Sequence, residues 1–135
     1  MSYEYFLQAH LNQGAQEVPT ERILSIFSDY IIVKDKTFID VRFDESNSCT
    51  VYMDTEEAYN TGLMVSRPCG GKLGACLYAV MRLGNFVFYE PDGVHVLVVN
   101  AAVIPHLPED MITALGMPVV GETLDKFLEL YNNNR

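Results

Sequence analysis

The feature that most constrains this chain is a pair of alternating segments joined by a short polar link. In residues 37–43, Ile39, Val41 and Phe43 alternate with Asp40 and Arg42. In residues 49–54, Cys49, Val51 and Met53 alternate with Thr50, Tyr52 and Asp54. Successive side chains of a strand point to opposite faces, so each segment has one dry face and one wet face. The link Asp44-Glu45-Ser46-Asn47-Ser48 is polar throughout. Together these residues predict a β-hairpin whose dry face must be covered by the rest of the chain.

The remaining segments supply that cover. Residues 3–8 are rich in aromatics and predict a first strand. Pro19 and Thr20 open a helix with Thr20 as N-cap and Glu21 at the positive end of its dipole. Ile23, Leu24, Ile26, Phe27 and Tyr30 share its apolar face. Residues 31–33 and 62–66 predict short strands. Leu73, Cys76, Leu77, Val80 and Met81 mark an amphipathic helix, stopped by Gly84-Asn85. The apolar runs 86–89 and 94–99 flank a Glu90-Pro91-Asp92-Gly93 turn and lack alternation, so both of their faces are expected to be covered and both to lie centrally in a sheet. Pro108 opens a short helix ended by Gly116, residues 119–120 are extended, and Leu124, Phe127, Leu128 and Tyr131 mark a last helix. The class is α+β: a mostly antiparallel sheet with three to four helices packed on it. With 135 residues and no linker, residues 1–135 make a single domain, with 132–135 a frayed tail.

Charge narrows the function. Eighteen acids against nine Lys and Arg give −9. Phosphate backbones and anionic membrane surfaces select for cations, so neither nucleic acid nor membrane is an expected partner. A basic protein is. The start of the chain has no basic n-region and no apolar h-region, no stretch is long enough for a membrane span, and three cysteines suit reduced thiols; cytoplasm is the expected compartment.

The candidate partner-binding residues lie on and beside the hairpin: Asp40, Asp44, Glu45, Tyr52, Asp54, Glu56 and Glu57. Between residues 37 and 60, six acids face a single base, Arg42, a local balance of −5. Clustered like charge speeds association with a cationic partner and rejects acidic competitors. The same pattern also suits a solvated face that keeps the chain soluble. Tyr52 adds contact area with few rotatable bonds.

A second candidate is Arg67-Pro68-Cys69-Gly70-Gly71-Lys72, just before a helix. Arg67 and Lys72, with the helix dipole, would favour a Cys69 thiolate or hold an anion. The alternative is a plain strand-to-helix turn, with Arg67 as the charge that anchors it. A Cys nucleophile needs a base, and His10, His95 and His106 carry no recognisable local signature. Cys69 and Cys76 are too far apart in sequence for a metal knuckle, so no metal and no cofactor are expected. Glu90 and Asp92 belong to one turn, where both should be exposed and alike, not an acid–base pair. No nucleophile elbow is present. No enzymatic activity is expected.

Over roughly residues 62–131 the chain resembles small bacterial immunity proteins, which protect a cell from a toxin. The residues that carry the likeness are Ser66-Arg67-Pro68, the helix 73–83, Gly84-Asn85, Tyr89-Glu90-Pro91-Asp92-Gly93, Leu107-Pro108-Glu109-Asp110-Met111 and Leu115-Gly116. The resemblance implies a cytoplasmic, cofactor-free, stoichiometric inhibitor of a toxin, often a basic nuclease whose phosphate groove acidic side chains can fill. Two other functions are compatible with the residues: an acidic homodimeric secretion chaperone for an effector protein, and a thiol or anion-binding enzyme at Cys69.

Overall fold

The computed structural model describes residues 3–134. In chain order the elements are β1 (Glu4–Leu11), β2 (Gly14–Ala15), β3 (Val18–Pro19), α1 (Thr20–Phe27), β4 (Ile31–Lys34), β5 (Phe38–Asp44), β6 (Asn47–Tyr52), β7 (Tyr59–Asn60) and β8 (Gly62–Ser66). There follow α2 (Leu73–Met81), β9 (Phe86–Tyr89), β10 (Leu97–Val98), a 3₁₀ helix (Ala101–His106), α3 (Glu109–Leu115), β11 (Val119–Val120) and α4 (Leu124–Asn132). The class is α+β, and among the described residues the main sheet has nine strands. Its order is β11-β10-β9-β1-β8-β6-β5-β4, with β2 folded back on β1. All its pairings are antiparallel except β10 with β11.

The alternating segments form the hairpin they predict. Ile39, Val41, Cys49, Val51 and Met53 are all buried in the main core. Their faces meet odd-numbered residues of β1 (Tyr5, Leu7, Ala9) and the apolar stripes of α1, α2 and α4. At the centre, Phe88 packs edge-on to Tyr5 and Phe127, with Tyr131 closing the group. Aromatic pairs in this geometry add to stability beyond their buried area.

The non-alternating runs are covered on both faces, for the reason their composition implies. Phe86, Phe88 and Leu97 face the main core, whereas Val87, Val96 and Val98 face a second cluster under the 3₁₀ helix and α3. Their position differs from expectation: the centre of the sheet is β1 and β8, and β10 lies one strand from an edge. The return strand is also shorter than 94–99, because Val94 and His95 turn aside to meet the C-terminus.

Three local expectations are corrected. Pro19, not Thr20, occupies the cap position of α1; the Thr20 hydroxyl instead accepts a hydrogen bond from Asn60 Nδ2 at 2.6 Å. A tertiary partner has taken the oxygen that local capping would have used. The expected tail is anchored as far as it is described, residue 135 lying outside the described residues. Asn134 is fully buried, its carbonyl accepts the Val94 N–H at 2.7 Å, and its side chain accepts the His95 N–H and donates to Glu90. Glu90 is accordingly buried and Asp92 exposed, so these two acids are not alike.

Candidate functional site

The seven candidate residues of the acidic ribbon fall into two end clusters with a middle. Asp44 and Glu45 form the tip of the β5–β6 hairpin, where both are exposed. The Asp44 carboxylate accepts hydrogen bonds from Asn47 Nδ2 and the Ser46 N–H. These donors, Asn47 first, hold its pKa below the ordinary carboxylate value. Asp54, Glu56 and Glu57 lie at the other end, roughly 23 Å away at about 3.3 Å per residue. There Asp54 Oδ1 accepts the N–H groups of both Glu56 and Glu57, so one turn displays all three acids. That turn is pinned from beneath by buried Asn60, which accepts the Asp54 N–H and donates to the Asp54 carbonyl.

Asp40 and Tyr52 lie between the clusters, on the sheet face opposite α1, α2 and α4. Asp40 Oδ1 accepts from Thr50 Oγ1 at 2.6 Å. Tyr52 is 41% exposed and packs against Phe38, ring centroids 6.1 Å apart. The face around them holds residues that the sequence alone does not single out. Register pairs Phe38 with Tyr52, Tyr52 with Met64, Met64 with Phe6, and Phe6 with Tyr89. These five side chains therefore make one row across five strands, about 19 Å long at ~4.8 Å per strand. Phe6 and Tyr89 stack with centroids 5.1 Å apart, and Gln8 Nε2 donates to the Tyr89 hydroxyl. None of the five is fully buried, but Tyr89 packs against the second cluster, so the uncovered part of the row ends at Phe6. The available signal was an aromatic at a wet-face position, as Phe38 is before Asp40 and Arg42.

The adjacent row is polar: Asp40, Thr50, Ser66 and Glu4 are paired in turn. Between this row and the hairpin tip is a hollow of about 310 Å³ lined by Asp40, Ser48, Thr50, Ser66, Arg67 and Ile32 among others. Arg42 lies beyond Asp40 on β5 and donates to the Asp44 carbonyl, away from the aromatic row.

Arg67, Cys69 and Lys72 do not converge. Arg67 takes a left-handed conformation, φ +49°, and anchors the turn through its backbone, whose N–H donates to the Tyr3 carbonyl. Its side chain is exposed, so the anchor is not its charge. The Lys72 ammonium lies 5.6 Å from the Tyr30 ring centroid. The Gly70 N–H, which an anion would need, donates to Asn47 Oδ1 at 2.9 Å. Gly71, at φ +68°, makes the turn possible. Cys69 is a hydrogen-bonding neighbour of Cys49, and burial, foremost, raises its thiol above the ordinary value. Burial pushes Cys49 up to about 12 and Cys76 to about 11. The expected activation of Cys69 by Arg67, Lys72 and the dipole is thus reversed by desolvation, which disfavours the charged thiolate.

Among the described residues there is no cluster of three or more groups suited to a metal ion. No helix among them is long and apolar enough to cross a membrane. Comparison with protein-family models, curated proteins and solved structures finds no match to this chain.

Proposed function

We propose that this chain is a non-enzymatic protein-binding domain that neutralises a basic protein partner, in the manner of a toxin-immunity protein of the bacterial cytoplasm. The observation that carries the reading is the turn in which Asp54, Glu56 and Glu57 are displayed together, exposed, on a support fixed by Asn60. A solvated acidic loop needs no such support, whereas a docking surface gains from one. Ordering these carboxylates before the encounter lowers the entropy lost on binding. Their charge, added to that of the whole chain, steers a cationic partner inward.

The test is affinity capture from cells of the source at low salt, with the wild type and with Asp54, Glu56 and Glu57 all changed to Lys. The expected result is a cationic protein that the wild type retains and the variant releases. Expressed alone, that protein should arrest growth, and co-expression of this chain should relieve the arrest. Equal capture by both chains, or a captured protein without toxicity, overturns the reading.

One observation favours a second reading, the homodimeric secretion chaperone. The edge strand β4 leaves Ile32 61% and Val33 45% exposed, beside unpaired backbone groups that a second copy could extend. Solution mass separates the two: a tight dimer supports the chaperone, a monomer the inhibitor.

A further inference from the structure

We propose that the uncovered part of this sheet face recognises arginine: the row Phe38, Tyr52, Met64 and Phe6 is a shelf for guanidinium groups of a cationic protein segment, and Asp40 is the carboxylate that pairs with one of them. This deepens the preceding section and rests on its reading that the partner is cationic. It places the contact on a surface distinct from the acidic turn at residues 54–57.

The chemistry of the face selects this occupant. A guanidinium is planar and weakly hydrated, and it stacks on aromatic rings while donating in-plane hydrogen bonds to a carboxylate. Both needs are met within one cross-strand step. Phe38 and Tyr52 form a tilted ring pair, and Asp40 and Thr50 are the next residues on the same face of the same two strands. The Asp40 carboxylate accepts one hydrogen bond from Thr50, which orients it. The hollow of about 310 Å³ beside it is lined by Arg67 as well as by Asp40, so the incoming guanidinium is placed on the ring pair and the Asp40 carboxylate and not in the hollow. Glu4, at the other end of the polar row, adds a second acid. Bases lie near the shelf. Arg42 is drawn toward the hairpin tip by the Asp44 carbonyl, and Arg67, which follows Ser66 on the side away from Met64, lines the hollow. Lys36 precedes Phe38 and lies across from the Asp54–Thr55 stretch, whose Thr55 N–H bonds its carbonyl. A sheet face with part-exposed aromatics also suits stacking of single-stranded nucleic acid, but a net charge of −9 opposes a phosphate backbone.

Three probes test the proposal against isotope-labelled full-length chain in low salt: a ten-residue peptide alternating arginine and glycine, its lysine counterpart, and a ten-nucleotide oligouridine. Binding is read by titration calorimetry and by amide shifts. The expected result is that the arginine peptide binds about three- to fivefold more tightly than the lysine peptide. Its shifts should centre on residues 38–40, 50–52, 64–66 and 4–6. Tyr52→Ala and Asp40→Asn should each weaken the arginine peptide several-fold and bring the two peptides to equal affinity. Tyr52 is exposed, so its variant keeps the test usable if Asp40→Asn does not fold. Equal binding of both peptides by the wild type, with shifts confined to residues 54–57, overturns the arginine shelf and leaves the cationic partner standing. Failure to bind either peptide overturns both. Oligouridine binding on the aromatic row overturns the protein-segment assignment in favour of nucleic acid.

Discussion

Asn134 Nδ2 donates to Glu90 Oε1 at 2.9 Å in a fully buried position, tying the end of the chain to the turn after β9. The same amide accepts the His95 N–H through Oδ1 at 2.6 Å. A side chain with a donor and an acceptor thus closes the loop at residues 90–95 from the far terminus. The turn leaves room for nothing larger: a Cβ on Gly93 would lie 2.7 Å from Glu90 Cγ and 2.8 Å from Asn134 Nδ2.

Asn134→Ala should therefore destabilise the fold by about 1–3 kcal/mol, because it removes a partner from a buried carboxylate and from the His95 N–H. Urea denaturation of the variant and the wild type measures it. A variant within 0.3 kcal/mol of the wild type, on the order of experimental error, would falsify the anchoring role.

Asn60 offers a second, separable test. Its side chain bonds Thr20 Oγ1, the Asp54 N–H and the Asp54 carbonyl, at 2.6, 3.0 and 2.8 Å. Asn60→Ala should cost about 1–3 kcal/mol and should loosen the acidic turn above it. Amide exchange at Glu56 and Glu57 should speed up in the folded variant. Unchanged exchange there would mean that the Asx turn of Asp54 orders these acids unaided.

The thiols should be sluggish. With Cys49 at about 12 and Cys76 at about 11, almost none of either is thiolate at pH 8. Iodoacetamide on the folded chain should modify half-buried Cys69 first, more slowly than a free thiol, and the other two only after unfolding. Rapid labelling of Cys69 at pH 7 would restore the thiol-enzyme reading.

Two titrations predict losses of stability on the acid side, in separate pH windows. Burial lowers the pKa of His10 from 6.5, although a hydrogen bond with the Gly14 backbone works against the shift. The unfolded chain then binds more protons than the folded one just below pH 6.5, so this stability is lost as pH falls through 6.5 and levels off below the folded pKa. Asp44 is depressed from 3.8, so its contribution holds above 3.8 and is lost as pH falls through its lower folded value. Denaturation midpoints from pH 7.5 to 5.5 should drop more for the wild type than for His10→Gln. Equal drops would assign the acid sensitivity elsewhere.

Local pattern made much of this protein legible. The alternation at residues 37–43 and 49–54 identified which side of the hairpin is dry, the stripe from Leu73 to Met81 identified the buried face of α2, and Gly116, at φ +92°, ends α3 as its composition implies. The missed features have one property in common: they depend on residues distant in sequence. Thr20 meets Asn60 and Asn134 meets Glu90, and no local rule anticipates either pair.

The candidate surface divides in the same way. The sequence by itself determined the excess of carboxylates along the hairpin and the exposure of Tyr52, because period two assigns each residue of a strand to a face. Only the tertiary structure decided that β6 lies beside β8, β8 beside β1 and β1 beside β9, which sets Phe6, Phe38, Met64 and Tyr89 in one row with Tyr52. Strand order and register arise from packing of the whole core, where the covered faces of β1, β8 and β9 meet α2 and α4. A strand's own alternation carries no information about its neighbours.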